Sequence, residues 1–234
     1  MKILAFDSTA KTASVALTED ERLLGLCNID NGLTQSELLL PMAEDLLRSL
    51  KLSFKDIELL AVTAGPGSFT GVRIGISLVK GISFTRDIPC VSVSTLEALM
   101  QNISSLRGIL VPVMDARRNQ VYNAIFRSDE NGISRLTEDR AISIEDLASE
   151  LSAYDEPIYL VGDGYQIAKK KLSELGINTL ETPALLIGQN AYSTAVIAAK
   201  KYKLGETLSD MEISPVYLRL PQAERERLEK EGTK

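Results

Sequence analysis

The chain has 234 residues, 44% of them hydrophobic and 25% charged, with a formal net charge of −6 and a pI near 5.0. That balance excludes wholesale disorder and argues against a chain that grips nucleic acid by itself, because phosphate binding draws on clustered Lys and Arg. There is no histidine, which excludes Ser-His and Cys-His nucleophile pairs and His-ligated metals, and the two cysteines, Cys27 and Cys90, are too few and too far apart for a structural zinc site.

Lys2 to Phe6 is a short apolar run that ends in Asp7-Ser8-Thr9. Thr12 to Thr18 alternates, with Ala13, Val15 and Leu17 on one face, and Leu23 to Ile29 is a third β-like stretch. The three predict an antiparallel meander. Thr34, with Glu37 three residues later, is a capping box that opens a helix to about Leu50. Leu38, Met42, Leu46 and Leu50 recur at intervals of four, with Leu39 and Leu47 beside them. Pro41 lies inside this pattern and is expected to bend the first turns. Leu59 to Ala64 reads as a buried strand, followed by a glycine-rich loop and a second helix, Phe69–Phe84. Cys90 to Val93 reads as a strand, and Thr95 starts a short helix.

The same rhythm restarts more loosely. Gly108 to Met114 is an apolar strand that ends in Asp115, and Gln120 to Phe126 is predicted as one alternating strand. A helix is expected over Ile144–Ser152 and a strand over Ile158–Val161, ending in Gly162-Asp163-Gly164 before another helix from Tyr165. Asn190–Tyr202 reads as a long Ala-rich helix, Pro215–Arg219 as an extended tail, and Glu224–Glu231 as a frayed charged end. Each half begins with a strand that ends in Asp, which points to an internal duplication. The expected organisation is a first lobe over residues 1–104 and a degenerate second lobe over 105–219, whose last long helix packs back on the first. A charged tail follows over 220–234. Both cysteines sit in apolar runs and read as buried free thiols in a reducing compartment. The start of the chain has no secretory h-region, and no run approaches the ~18 apolar residues of a membrane span. A cytoplasmic protein is expected.

Three segments carry candidate chemistry. Asp7-Ser8-Thr9 can present hydroxyls and N–H groups to a phosphate with the acid holding a metal, or it can be a hairpin turn closed by local hydrogen bonds. Gly65-Pro66-Gly67-Ser68-Phe69-Thr70-Gly71-Val72-Arg73-Ile74-Gly75 follows a strand and opens a helix. It lacks the P-loop lysine and the Rossmann spacing. It fits anion binding at a helix start, and it fits capping and close packing, with Ser68, Gly71 and Gly75 at three-to-four spacing beside a neighbouring helix. Asp115-Ala116-Arg117-Arg118 is a strand-end turn with two cations, read either as a solvated turn or as an anion site. The first helix is apolar over a wider arc than one buried stripe needs, as for a helix packed on two sides.

Asp7-Ser8-Thr9, the Gly65–Gly75 segment, the Gln35-Ser36-Glu37-Leu38-Leu39-Leu40-Pro41 helix start and the Pro215-Val216-Tyr217-Leu218-Arg219 tail resemble the bacterial TsaB (YeaZ) family. The resemblance implies an α/β, actin-like fold of the sugar kinase/Hsp70/actin type, with two related lobes, each a mixed sheet flanked by helices. It implies a part in attaching threonylcarbamoyl to N6 of adenosine 37 in tRNAs that read ANN codons. In that system the related subunit TsaD carries the metal on a pair of first-helix histidines. This chain has none, and Gln35 stands where many members of its own family have one. The resemblance also implies that the first two helices pair with TsaD, or with a second copy when TsaD is absent, and that a small ATPase, TsaE, joins the pair. The expected interface residues are Leu38, Leu39, Met42 and Leu46 on the first helix and Val72, Arg73, Ile74, Gly75 and Leu78 on the second. Vestigial nucleotide contacts would be Asp7, Ser8, Thr9, Asp115, Gly162, Asp163 and Gly164. No intrinsic cofactor is expected, with ATP or ADP and Mg²⁺ only at the complex interface, and tRNA is met only through the complex. The rival reading is an Mg-ATP-dependent phosphotransferase or ATPase of the same fold, using Asp7 and Asp115. A peptidase, once attached to relatives by name, finds no histidine, Ser-Lys pair or zinc motif here.

Overall fold

The computed structural model describes residues 1–219; the expected charged end lies outside them. The first lobe opens with strands β1 (Lys2–Asp7), β2 (Ala13–Glu19) and β3 (Arg22–Ile29), then helix α1 (Gln35–Ser49), β4 (Leu59–Gly65), α2 (Phe69–Phe84), β5 (Cys90–Ser94) and α3 (Thr95–Asn102). The strands form one sheet in the order β3-β2-β1-β4-β5, with the meander antiparallel and β4 and β5 parallel to β1. Both faces are covered, which is why β1 and β4 read as near-continuous apolar runs. Leu4, Phe6, Leu60 and Val62 pack under α1 and α2. Ile3, Ala5, Leu59 and Ala61 pack on the opposite face.

Glu37 closes its arm of the capping box at the start of α1: the Thr34 N–H donates to Glu37 Oε2 at 3.0 Å and the Thr34 hydroxyl donates to it at 2.7 Å, while the Glu37 N–H goes to the Thr34 backbone carbonyl at 3.0 Å. Burying side chains such as Leu39 and Leu47 contributes roughly 1.5–3 kcal/mol each relative to exposure.

The second lobe contains β6 (Gly108–Asp115), β7 (Gln120–Asn123), β8 (Phe126–Asp129), β9 (Gly132–Arg135), β10 (Arg140–Ser143), α4 (Ile144–Leu151), β11 (Ile158–Val161), α5 (Tyr165–Glu174) and α6 (Ala184–Ile187). β6 pairs β7 and β8 antiparallel and β11 parallel, while β10 pairs β7 and β9 pairs β8. The meander-then-parallel plan of the first lobe therefore recurs, as the strand-end acids led one to expect. The expected single strand over Gln120–Phe126 is instead broken at Ala124–Ile125. Pro112 of β6 has no N–H for the ladder, its carbonyl is taken by the Asn123 amide at 3.1 Å, and Ile125 N–H turns to Thr137 Oγ1 at 2.8 Å. β9 and β10 carry no apolar alternation, since every residue of β9 is exposed, and they are not legible as strands.

The last helix, α7 (Ala191–Lys203), crosses back to the first lobe. Ala191, Ala195, Ala198 and Ala199 let its backbone lie close against Ile3, Ala5, Ala16 and Ala61. At the base of the molecule a shared core joins the lobes: Leu96, Leu99 and Ile103 of α3 pack on Leu110, Met114, Phe126 and Val161.

Candidate functional site: a closed strand-end turn, an interlobe cleft and the α1–α2 face

The most specific sequence segment sits directly on the first strand-end turn. Ser68 N–H donates to the Thr9 carbonyl at 2.7 Å, and Ser8 Oγ–H donates to the Gly71 carbonyl at 2.8 Å. A Cβ on Gly71 would lie 2.0 Å from the Ser8 carbonyl oxygen, and one on Gly75 would lie 2.5 Å from Ser8 Oγ. The small residues of α2 thus admit this turn and β4, not a neighbouring helix as their spacing led one to expect. Ser68 caps α2, with Gly71 N–H donating to its Oγ at 3.2 Å.

Asp7 is sealed beneath this contact, fully buried. Its Oδ1 accepts from the Thr9 N–H at 3.0 Å and the Thr9 hydroxyl at 2.6 Å, while Oδ2 has no hydrogen-bond partner among the described residues. Burial outweighs the hydrogen bonds from Thr9 and pushes the carboxyl above its ordinary range. A raised pKa means that the folded chain holds this proton more tightly than the unfolded chain. Stability therefore falls as pH rises from about 4 through the raised value. Asp7→Asn keeps the shape without the charge. At pH 7 it is expected to melt a few degrees higher, at about 2–4 °C for each kcal/mol gained, with the gap closing near pH 4. Melting curves across that range check this; a pH profile identical to wild type would contradict it.

The lobes enclose a cleft of about 840 Å³, lined by Thr9, Lys11, Gln35, Ser68 and Phe69 on one side and Asp115, Arg117, Tyr122 and Asp163 on the other. Asp115 is held locally: Oδ1 accepts from the Arg117 N–H at 2.7 Å, and Oδ2 pairs with the Arg117 guanidinium at 3.0 Å. Arg118 is exposed beside it. Asp163 accepts from the Asp115 N–H at 3.3 Å and faces open solvent in the cleft. The walls nevertheless remove enough hydration, with Asp115 and Asp7 adding repulsion, to push its carboxyl up to about 6. Gly162 (φ 114°) and Gly164 lie under the Val113 and Asp115 backbone and offer no open cradle. Among the described residues no three acidic or thiol side chains gather where a metal could be held.

The α1–α2 face divides differently from the sequence expectation. Leu39, Met42, Val72 and Gly75 are buried inside the first lobe, so their side chains are not available to a partner. The wide apolar arcs arise because each helix meets its own sheet, and α2 meets the Ser8 turn as well. Leu38 is nearly buried, while Leu46, Ile74 and Leu78 are half-buried at the rim of the same core. Leu40, which stands outside the four-residue stripe of α1, is 39% exposed, and Phe84 is 75% exposed. A groove of about 340 Å³ runs between α1 and β3, lined by Cys27, Ile29, Leu38, Pro41 and Leu46. Arg73 is spent within the chain: its guanidinium lies 3.8 Å over the Phe69 ring, and its Nε–H donates to Tyr217 Oη at 2.7 Å. Tyr122 and the stack of Phe69 on Tyr217 escaped the sequence reading, because nothing in the spacing joins residue 69 to residue 217.

A family model described as TsaD, tRNA N6-adenosine threonylcarbamoyltransferase, matches residues 34–226. A protein of Escherichia coli (strain K12), the tRNA threonylcarbamoyladenosine biosynthesis protein TsaB, is 33% identical over 225 residues, which is 94% of this chain and 95% of that one. The chain belongs to this family, in its TsaB (YeaZ) branch. The TsaB of Bacillus subtilis (strain 168) is 28% identical over 98% of this chain and 99% of its own. A Pseudomonas aeruginosa crystal structure, of an uncharacterized protein with similarity to peptidase YEAZ, superposes with a TM-score of 0.77 at 25% identity. It covers 93% of this chain and 99% of that one. The fold class is the actin-like one that the TsaB resemblance implies. No described helix is long and apolar enough to cross a membrane.

Proposed function

We propose that this chain is the non-catalytic subunit of a tRNA threonylcarbamoyladenosine biosynthesis complex, a cytoplasmic scaffold that pairs with TsaD through α1 and α2. The carrying observation is the burial of Asp7 under the Thr9 turn and the start of α2. The acid that would hold a metal in a working phosphate site is closed off and drawn toward its neutral form. The absence of histidine supports the same reading, since the metal-binding pair implied for TsaD has no counterpart here. In this account TsaD transfers threonylcarbamoyl to N6 of adenosine 37 in tRNAs reading ANN codons. TsaE joins the pair, nucleotide and Mg²⁺ enter only at the complex interface, and tRNA is met only through the complex. Without TsaD, a second copy of the chain covers the same face.

The subunit acts by binding the productive arrangement of its partner more tightly than others, not by adding side chains to the chemistry. The rival phosphotransferase needs Asp7 on Mg²⁺, which its burial opposes. Asp7→Asn tests the choice. Modification by the reconstituted complex is expected within about twofold of wild type, whereas loss of an acid or metal ligand typically costs at least 10²-fold. A loss on that scale would overturn the scaffold reading.

A further inference from the structure

Two of the segments that carry the family resemblance, the glycine-rich start of α2 and the 215–219 tail, meet in space, and their meeting ties the lobes together. After α7 the chain pairs Leu208 with Cys90 at the sheet edge and buries Ile213 in the first-lobe core. Val216 N–H then donates to the Ala64 carbonyl at 2.8 Å, at the end of β4. Gly65 (φ 121°) makes room for this, since a Cβ there would lie 2.4 Å from the Val216 carbonyl oxygen. Tyr217 stacks on Phe69 with 4.9 Å between ring centroids, and its Oη accepts from Arg73. Two residues later the chain is anchored to the other lobe. Arg219 donates to the Ala116 carbonyl at 3.1 Å and to the Gln120 side chain, with its guanidinium 5.8 Å from the Tyr122 ring centroid.

We propose that residues 216–219 are a strap across the cleft mouth that fixes the aperture between the lobes. Two residues of extended chain span at most about 7 Å, so beyond that only the Arg219 side chain can lengthen the strap. The α3 core fastens the lobes at their base. Motion about that base opens or closes the mouth, and it stretches or buckles the strap. The clasp residues Phe69 and Arg73 lie on α2, the helix that also carries Ile74 and Leu78. A partner seated on that helix would therefore sense the aperture. The strap itself does not depend on the function proposed above.

A strap is a series connection: cutting either end frees the lobes, and cutting both adds nothing. Spin labels at Lys55→Cys and Gln166→Cys, one exposed position in each lobe, would report the interlobe distance in the full chain carrying Cys27→Ser. The strap predicts one narrow distance distribution for the parent. It predicts a roughly twofold broader one for Arg219→Ala and for the double variant alike, and a smaller broadening for Tyr217→Ala, because Val216 stays bonded to Ala64. Arg219→Lys, which keeps the charge but loses the guanidinium fork, is the milder cut and is expected to broaden it as well. Unchanged widths in all four would overturn the proposal. So would a double variant that broadens by the sum of the singles, which marks two independent local losses.

Discussion

Gly71→Val is expected to destabilise the first lobe by roughly 3 kcal/mol, the upper range for forcing atoms into a filled core. The cause is geometric. The first added carbon lies 2.0 Å from the Ser8 carbonyl oxygen and 3.3 Å from Ser68 Cβ. Ser8 cannot retreat, because its hydroxyl is bonded to the Gly71 carbonyl and the next residue is bonded to Asp7. At this chain length the melting temperature should fall by about 6–12 °C. Gly81 of the same helix is the control: a Cβ there meets nothing within 4 Å, and the site is exposed. Gly81→Ala should gain up to ~1 kcal/mol from helix propensity alone. Thermal or urea unfolding of both variants decides the point, and shifts of the same sign would contradict it.

Leu40→Glu and Leu78→Glu are expected to weaken pairing with TsaD by about 30-fold or more, the scale of losing an interface anchor worth ~2 kcal/mol. Burying an unpaired carboxylate at a contact costs several kcal/mol, so the chain will give up the contact instead. Leu40 is exposed and Leu78 half-buried, so folding should survive both changes. Leu38→Glu is not an equivalent test. Leu38 is only 9% exposed and belongs to the lobe core, so its charge would be felt as unfolding before it was felt as lost binding. Titration of each variant against TsaD, with melting curves beside it, separates the two effects. Unchanged affinity in both variants would remove α1 and α2 from the interface.

Much of the fold is legible because local rules agree with it. The Thr34–Glu37 box, the strand-ending Asp7 and Asp115, and the glycine-rich start of α2 each appear where their chemistry predicts. Other features depend on partners far along the chain. Periodicity shows that α1 and α2 carry wide apolar arcs, but it does not say what each arc meets. Val72 and Gly75 therefore read as interface residues although they face the sheet and the Ser8 turn. Pro112 breaks a strand some ten residues away in sequence, through a ladder that only the folded register defines. The closure of Asp7 is likewise invisible locally, since Asp-Ser-Thr at a strand end is equally compatible with an open phosphate turn. Only the docking of residues 67–71 onto it decides the matter.

The most direct test of the scaffold account is tRNA modification reconstituted with the cognate TsaD and TsaE, with and without this chain, alongside calorimetry of the chain alone with Mg-ATP. The account predicts that modification requires the chain while the chain alone gives no heat of nucleotide binding and no turnover. Turnover of ATP by the isolated chain, or full modification in its absence, would contradict it.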